Sequence, residues 1–258
     1  MDLGLQGLRV MVSAGAGGIG LAIARAFVRE GARVAVCDVD AAALAALASS
    51  DPALHGAPCD VSDRAAVARW FAAAMAHLGG LDCLVNNAGI AGPTAKVEDV
   101  TTADWDKTIA VNLNGSFYCT RRAVPALKKS GGGSIVNLSS SAGRLGFPLR
   151  TPYSSAKFAL VGFTESLAME LGPDNIRVNC IQPGIVEGDR IDRVIDAKAK
   201  SFGMTFEACR DQLLGNVSMR RMVSPQDIAN TILFLCSDAG KNISGQSVPV
   251  CGNVETLG

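Results

Sequence analysis

The sequence predicts an α/β fold, a doubly wound parallel sheet of about seven strands with helices on both faces, in a single domain over residues 1–258. Three observations carry this expectation. Short β-branched apolar runs alternate with longer Ala-rich segments of helical period from Leu8 to Val250. Neither a repeat nor a low-complexity linker interrupts the alternation. A glycine-rich turn joins the first strand to the first helix.

The first strand, Leu8 to Ser13, runs into Ser13-Ala14-Gly15-Ala16-Gly17-Gly18-Ile19-Gly20 and then a helical stretch from Leu21 to Arg29. Glycines at such a junction let the backbone approach a pyrophosphate, whose charge the helix N-terminus favours. Gly15, Gly17 and Gly20 alone would equally make a tight turn. The second strand, Arg33 to Cys37, is followed by Asp38, eighteen residues past Gly20. A carboxylate there accepts hydrogen bonds from both hydroxyls of an adenosine ribose and repels a 2′-phosphate. The plainer reading is that Asp38 ends the strand or caps the helix beginning near Asp40.

The third strand is Leu54 to Cys59, and Val67, Trp70, Phe71, Ala74, Met75 and Leu78 then form one apolar helical stripe, which reads as core. The fourth, Cys83 to Asn86, opens into Asn86-Asn87-Ala88-Gly89, where small residues let a ligand lie against the strand end and amides bond in several directions. The fifth runs from Ser134 to Leu138. Thr151-Pro152 then reads as a helix cap and first-turn proline, and Tyr153 and Lys157, four apart, share one helix face. A phenol with a free pKa of about 10 is a poor base at neutral pH, but a nearby ammonium and a helix N-terminus both favour the phenolate. A Tyr and a Lys so spaced also occur as an ordinary exposed face. After the sixth strand, Arg177 to Ile181, the stretch from Glu187 to Val217 mixes helical pieces with Gly188, Gly203 and Gly215 and reads as a substrate lid. Ser224-Pro225-Gln226-Asp227 starts a late helix, and Ser247 to Val250 is the seventh strand.

Lys plus Arg and Asp plus Glu balance at 24 each, so nothing in the net charge argues for nucleic acid or an anionic membrane, and a small-molecule ligand is expected. The eight cysteines lie scattered in apolar runs without a C-x-x-C pair, and read as reduced core residues rather than metal ligands or disulfides. No leader-like or membrane-length apolar stretch is present, which makes the cytoplasm the expected address. His55 and His77 read as structural.

With Ser140 thirteen residues before Tyr153, and Asn112 in Val111-Asn112-Leu113-Asn114-Gly115, the whole constellation resembles the short-chain dehydrogenase/reductase family over nearly all of the chain. The resemblance implies a Rossmann-type sheet and an NAD(H)-dependent oxidoreductase exchanging a hydride with a small secondary alcohol or ketone, among them hydroxy acids and sugar derivatives. By that likeness Tyr153 is the general acid/base and Ser140 holds the substrate oxygen. Lys157 assists Tyr153 and binds the nicotinamide ribose, and Asn112 keeps a relay water. The same likeness assigns the cofactor to Ser13, Gly15, Gly17, Gly18, Ile19 and Gly20 in the first turn, to Asp38, Val39, Asp60 and Val61 around adenine and its ribose, and to Asn87, Ala88 and Gly89 along the cofactor path. It places Pro183, Gly184 and Val186 at the nicotinamide, and it implies a homotetramer.

Three departures stand out. The usual Thr-Gly opening of the first turn is here Ser13-Ala14, with the glycine displaced to Gly15. Gly17 stands where NADP-preferring relatives often carry a basic residue. Gly188 replaces a Thr that commonly touches the nicotinamide carboxamide. The alternatives are an NADPH-dependent 3-oxoacyl thioester reductase and a dinucleotide-binding protein without chemistry. Arg150 matches a basic residue that 3-hydroxybutyrate dehydrogenases use on a substrate carboxylate, although Ala91 and Ala142 replace their polar substrate ligands. A solvated or subunit-bridging arginine is the plainer reading of Arg150.

Overall fold

The computed structural model describes residues 3–257 and has the architecture that the alternating pattern predicts. Strands β1 (Arg9–Ser13), β2 (Arg33–Asp38), β3 (Leu54–Pro58), β4 (Cys83–Asn86), β5 (Gly133–Leu138), β6 (Ile176–Pro183) and β7 (Ser247–Val250) form one seven-stranded sheet in the order β3-β2-β1-β4-β5-β6-β7. All six pairings are parallel. The helices are α1 (Gly18–Arg29), α2 (Ala41–Ser50), α3 (Arg64–Leu78), α4 (Thr102–Ile109), α5 (Gly115–Lys129), α6 (Thr151–Leu171), α7 (Asp189–Phe202), α8 (Phe206–Leu214) and α9 (Pro225–Cys236).

Both faces of the sheet are covered, as parallel strands require, and the strand residues divide between them by period two. Val10, Val12, Val34 and Val36 pack with Ile23 and Phe27 of α1 and Ile228 and Ile232 of α9. Met11, Leu84, Ile135 and Val178 face the other way, onto Trp70, Phe71 and Leu78 of α3 and Ala123 and Leu127 of α5. The stripe read as core is therefore core. All eight cysteines are buried and none forms a disulfide, and Cys83 and Cys236 bring their sulfurs to 3.3 Å. His55, on the edge strand β3, stacks on His77 with ring centroids 4.3 Å apart.

Several boundaries move. Strand β6 continues to Pro183, two residues beyond the predicted end, because Gln182 and Pro183 still pair with Pro249 and Val250. The stretch from Glu187 to Val217 is mostly helical, with Thr205 capping α8 and Gly203 ending α7 in a left-handed conformation. Thr151 is not the cap of α6. It is the first helical residue, Arg150 precedes it as cap, and Pro152 holds the second position. The capping box at Ser224 and Asp227 forms as read. Among the described residues, no helix is long and apolar enough to cross a membrane.

Candidate active site

Strand order reverses between β1 and β4, and in an open parallel sheet the crevice outside the strand ends at such a reversal is where ligands bind. Both glycine-bearing stretches leave the sheet there. After β1, the Gly15 amide donates to the Cys37 carbonyl, and Ala14 takes φ 51°, a left-handed backbone that restores the path a glycine would normally supply. Asn87 braces this turn from β4, its Nδ2 donating to the Ser13 and Ala14 carbonyls at 3.0 and 2.9 Å. Ser13 returns the bond, its Oγ accepting from the Asn87 and Ala88 amides. Gly20 must lack a side chain, since a Cβ would stand 2.0 Å from the Ala14 carbonyl oxygen.

The start of α1 is open. Gly17 caps it without a side-chain acceptor, the first turn has no acidic residue, and a Cβ on Gly17 or Gly18 would meet nothing within 4 Å. Free N–H groups at a helix start with room in front of them fit a pyrophosphate. At the end of β2, Asp38 is not the cap of α2, because Asp40 fills that role by accepting from the Ala42 and Ala43 amides. Asp38 instead accepts from the Ala16 amide at 3.1 Å and the Asp40 amide at 3.1 Å, which holds its carboxylate beside the glycine turn. Val39 is exposed. Asp60 is exposed and engaged by Ser62, while Val61 is buried against Gly115.

On the other side of the crevice, α6 presents Tyr153 half-buried and Lys157 buried, 4% exposed. The Lys157 ammonium donates to the Leu138 carbonyl at 2.7 Å and lies 5.7 Å from the Tyr153 ring centroid. Asn112 is fully buried in a π-helical turn (Ala110–Asn114) between α4 and α5, and exchanges hydrogen bonds with both backbone groups of Ile90 at 2.7 and 2.9 Å. Gly89 lies among these groups, as a Cβ on it would be 2.8 Å from Asn112 Oδ1 and 3.4 Å from Lys157 Nζ. Ser140 leads the short turn after β5, its Oγ accepting from the Ala142 amide.

Its neighbours Ser139 and Ser141, and Ser154 on α6, are braces. Ser139 Oγ donates to the Lys157 carbonyl at 2.7 Å, Ser141 Oγ to the Pro183 carbonyl at 3.2 Å, and Ser154 Oγ to the Ala142 carbonyl at 2.9 Å. Val186 forms an isolated bridge with Val223, and the Gly184 amide donates to the Val250 carbonyl. The Arg150 guanidinium donates to the Ala91 carbonyl at 2.8 Å and to Thr94 Oγ1 at 3.2 Å, and lies 5.5 Å from the Tyr153 ring centroid. Buried Cys180 has its thiol pushed up by desolvation and plays no visible part. Among the described residues no group of three or more His, Cys, Asp or Glu stands close enough to hold a metal.

A family model described as enoyl-(acyl carrier protein) reductase matches residues 14–253. The chain is 37% identical over 250 residues to a probable galactose dehydrogenase of Rhizobium meliloti, covering 95% of this chain and 94% of that one. Among solved structures, an NAD+-bound xylitol dehydrogenase superposes with a TM-score of 0.89 at 30% identity, covering 96% of this chain and 99% of that chain. An actinorhodin polyketide ketoreductase variant with NADPH superposes with a TM-score of 0.91 at 30% identity, covering 96% of this chain and 97% of that chain.

Proposed function

The chain belongs to the short-chain dehydrogenase/reductase family of oxidoreductases, and on that premise we propose that it is an NAD(H)-dependent dehydrogenase of small secondary alcohols, with sugars, polyols and hydroxy acids as the first classes to try. The observation that carries the reading is the buried Lys157 ammonium held under Tyr153 at the crevice, next to Gly89 and Asn112.

The nicotinamide dinucleotide supplies the hydride acceptor or donor. The chain's own residues bind, orient and move the proton. The Gly15 to Gly20 turn receives the pyrophosphate, Asp38 the adenosine ribose, with Val39, Asp60 and Val61 around adenine and Asn87, Ala88 and Gly89 along the path between. Pro183, Gly184 and Val186 border the nicotinamide. Ser140 donates a hydrogen bond to the substrate oxygen, and Tyr153 takes the hydroxyl proton in oxidation and returns it in reduction. Lys157, fixed by the Leu138 carbonyl, holds its charge beside the phenol and bonds the nicotinamide ribose. Asn112, in its π-helical turn, keeps the water through which the proton reaches solvent.

We further assign the outer faces of α4, α5 and α6 to a homotetramer. Exposed Trp105, Phe117, Phe158 and Met169 support it.

A second reading, an NADPH-dependent 3-oxoacyl thioester reductase, is favoured by the likeness to the polyketide ketoreductase. Asp38 and the absence of a basic residue at Gly17 weigh against it. The test is purified protein screened with NAD+ and NADP+ against alcohols, sugars, polyols and hydroxy acids, and in reverse against 3-oxoacyl thioesters. Tyr153→Phe should lower kcat on the best substrate by about two orders of magnitude or more while the NADH Kd, read by fluorescence, stays within about twofold. Turnover that survives the substitution would remove Tyr153 from the chemistry.

A further inference from the structure

The chain after β7 takes no part in the reading above, yet it touches three of the pieces that frame the site. Arg144 closes the short turn that starts at Ser140. Its Nη2 donates to the Val254 carbonyl at 3.0 Å and lies 3.5 Å from the Cys251 sulfur. At the end of β6, a Cβ on Gly184 would stand 2.7 Å from Cys251 Cα, so the two backbones are nearly in contact. The third piece is the foot of the helical segment 187–217. The Ser218 and Met219 amides donate to the Asn253 and Gly252 carbonyls at 2.9 and 3.0 Å, and the Glu255 amide donates to the Asn216 carbonyl at 2.9 Å. Val217 and Val254 form an antiparallel bridge there, and Leu145, Ile185, Leu214 and Val254 share one small apolar cluster.

This cluster is separate from the two that line the sheet faces, so packing against the main core does not fix it. Its four fully buried members bury little apolar surface, and the tie from Arg144, a charged donor on a carbonyl, is therefore a large share of what holds residues 251–255 in register with the Ser140 turn. Among the described residues, none of the hydrogen bonds of Arg144 goes to the Gly15 to Gly20 turn, Asp38 or Asn87.

We infer that Arg144 is a positioning residue, which fastens residues 251–255 to the Ser140 turn and through them couples the foot of the 187–217 segment to the substrate-binding serine. The inference rests on the reading of Ser140 as the group that meets substrate. Substrate capture depends on this tie, and cofactor binding does not.

The test compares Arg144→Ala, Arg144→Lys and the parent in three measurements. In steady-state kinetics on the best substrate, Arg144→Ala should lose about tenfold or more in kcat/KM, mostly through KM, and Arg144→Lys, which keeps one charged donor, should recover most of it. The NADH Kd should stay within about twofold in both, since Arg144 bonds to none of the residues placed on the pyrophosphate or ribose, and Gly184, which Cys251 approaches, keeps its own amide bond to the Val250 carbonyl. In amide hydrogen exchange, Ser218, Met219 and Glu255 should lose about tenfold in protection in Arg144→Ala and regain it in Arg144→Lys, with the amides of β1 and β4 unchanged. Unchanged exchange at those three amides, a lysine variant no better than alanine, or an NADH Kd that rises with KM would each overturn the proposal. Should Arg144→Ala fail to fold, Arg144→Gln, with a neutral donor, takes its place with intermediate losses expected. A protein that turns over no alcohol in any form removes the dehydrogenase reading, while the exchange comparison still decides whether the tie exists.

Discussion

Ala14 shows how a departure from a motif is absorbed by one residue. Its φ of 51° costs a side-chain-bearing residue about 1–2 kcal/mol relative to glycine, and Asn87 and the Gly15 amide hold the turn in place against that cost. The sequence placed Gly15, Gly17 and Gly20 at the turn but not its course, which depends on the Asn87 side chain just beyond the end of β4. Tyr153 and Lys157 were legible because four-residue spacing on a helix is itself a geometric statement. Ser139, Ser141 and Arg144 were not, since their acceptors are main-chain carbonyls of Lys157, Pro183 and Val254, and a carbonyl carries no sequence signature. Asp38, held beside the glycine turn, leads to an expected preference for NAD+ over NADP+ of about tenfold or more in kcat/KM, because a 2′-phosphate would face the carboxylate and lose its ribose bonds. Comparable values with the two cofactors would remove that role. Arg150 offers a sharper choice. If its guanidinium pairs with a substrate anion, Arg150→Gln should cost roughly ten- to a hundredfold in kcat/KM on acidic substrates only. A loss shared by neutral alcohols would assign it instead to pinning Ala91 and Thr94 against the start of α6.

Elements were read best where packing alone decides them. The β-branched runs of β1, β2 and β4 and the stripe of α3 are buried on the faces their periodicity implies. Their ends were less legible, because β6 runs on to Pro183 only through pairing with β7, a partner contributed from about seventy residues later. The π-helical turn at Asn112 had no local signal, since one extra residue in a helical turn is stabilised by the Ile90 backbone rather than by neighbours in sequence. Residues 187–217 were hard for another reason. Helix α7 is rich in charge, and among the described residues α7 and α8 bury only Ile195, Ala199 and Cys209 in one small cluster and Leu214 in another, both apart from the main core. Few buried apolar contacts mean low local stability. Gly188 strengthens the expectation, because it caps α7 at φ 131°, a backbone few other residues adopt, with nothing within 4 Å of where a Cβ would stand. Amides of α7 and α8 should therefore exchange markedly faster without NADH than with it, by about tenfold, whereas those of β4 and β5 should not change. Equal protection in both states would mean that the segment is no lid.

At the scale of the whole molecule, the two ends of the parallel strands do different work. The C-terminal ends carry the glycine turn, Asp38, Asn87 and Ser140, and the N-terminal ends carry a two-pronged ion pair. There Arg9 Nε and Nη2 meet Asp82 at 2.7 and 2.6 Å, the Arg9 amide adds a third bond at 2.9 Å, and Nη2 also reaches Ser130 beyond the end of α5. Burial alone would raise the Asp82 carboxyl, but the side-chain and backbone bonds from Arg9 outweigh it and hold the group below the usual carboxylate range. A carboxyl so lowered contributes stability that is fully present above about pH 4, its unfolded value, and is lost as pH falls through the lower folded value. Asp82→Asn removes the charge and one acceptor, and because the pair is partly open to solvent the cost at neutral pH should be about 1–2 kcal/mol, or roughly 2–8 °C in Tm. The gap between parent and variant should narrow as the solution is acidified below about pH 4. Turnover should not follow it. Asp82 enters β4 and Asn86 leaves it, about 13 Å apart along a strand of this length, so kcat and the NADH Kd of Asp82→Asn should stay within about twofold of the parent. Denaturation midpoints measured from pH 7 down to pH 3, together with kinetics at pH 7, check both halves. A gap that is constant across that range would deny the ion pair its part in stability, and a large loss of kcat would mean that the two ends of the sheet are coupled.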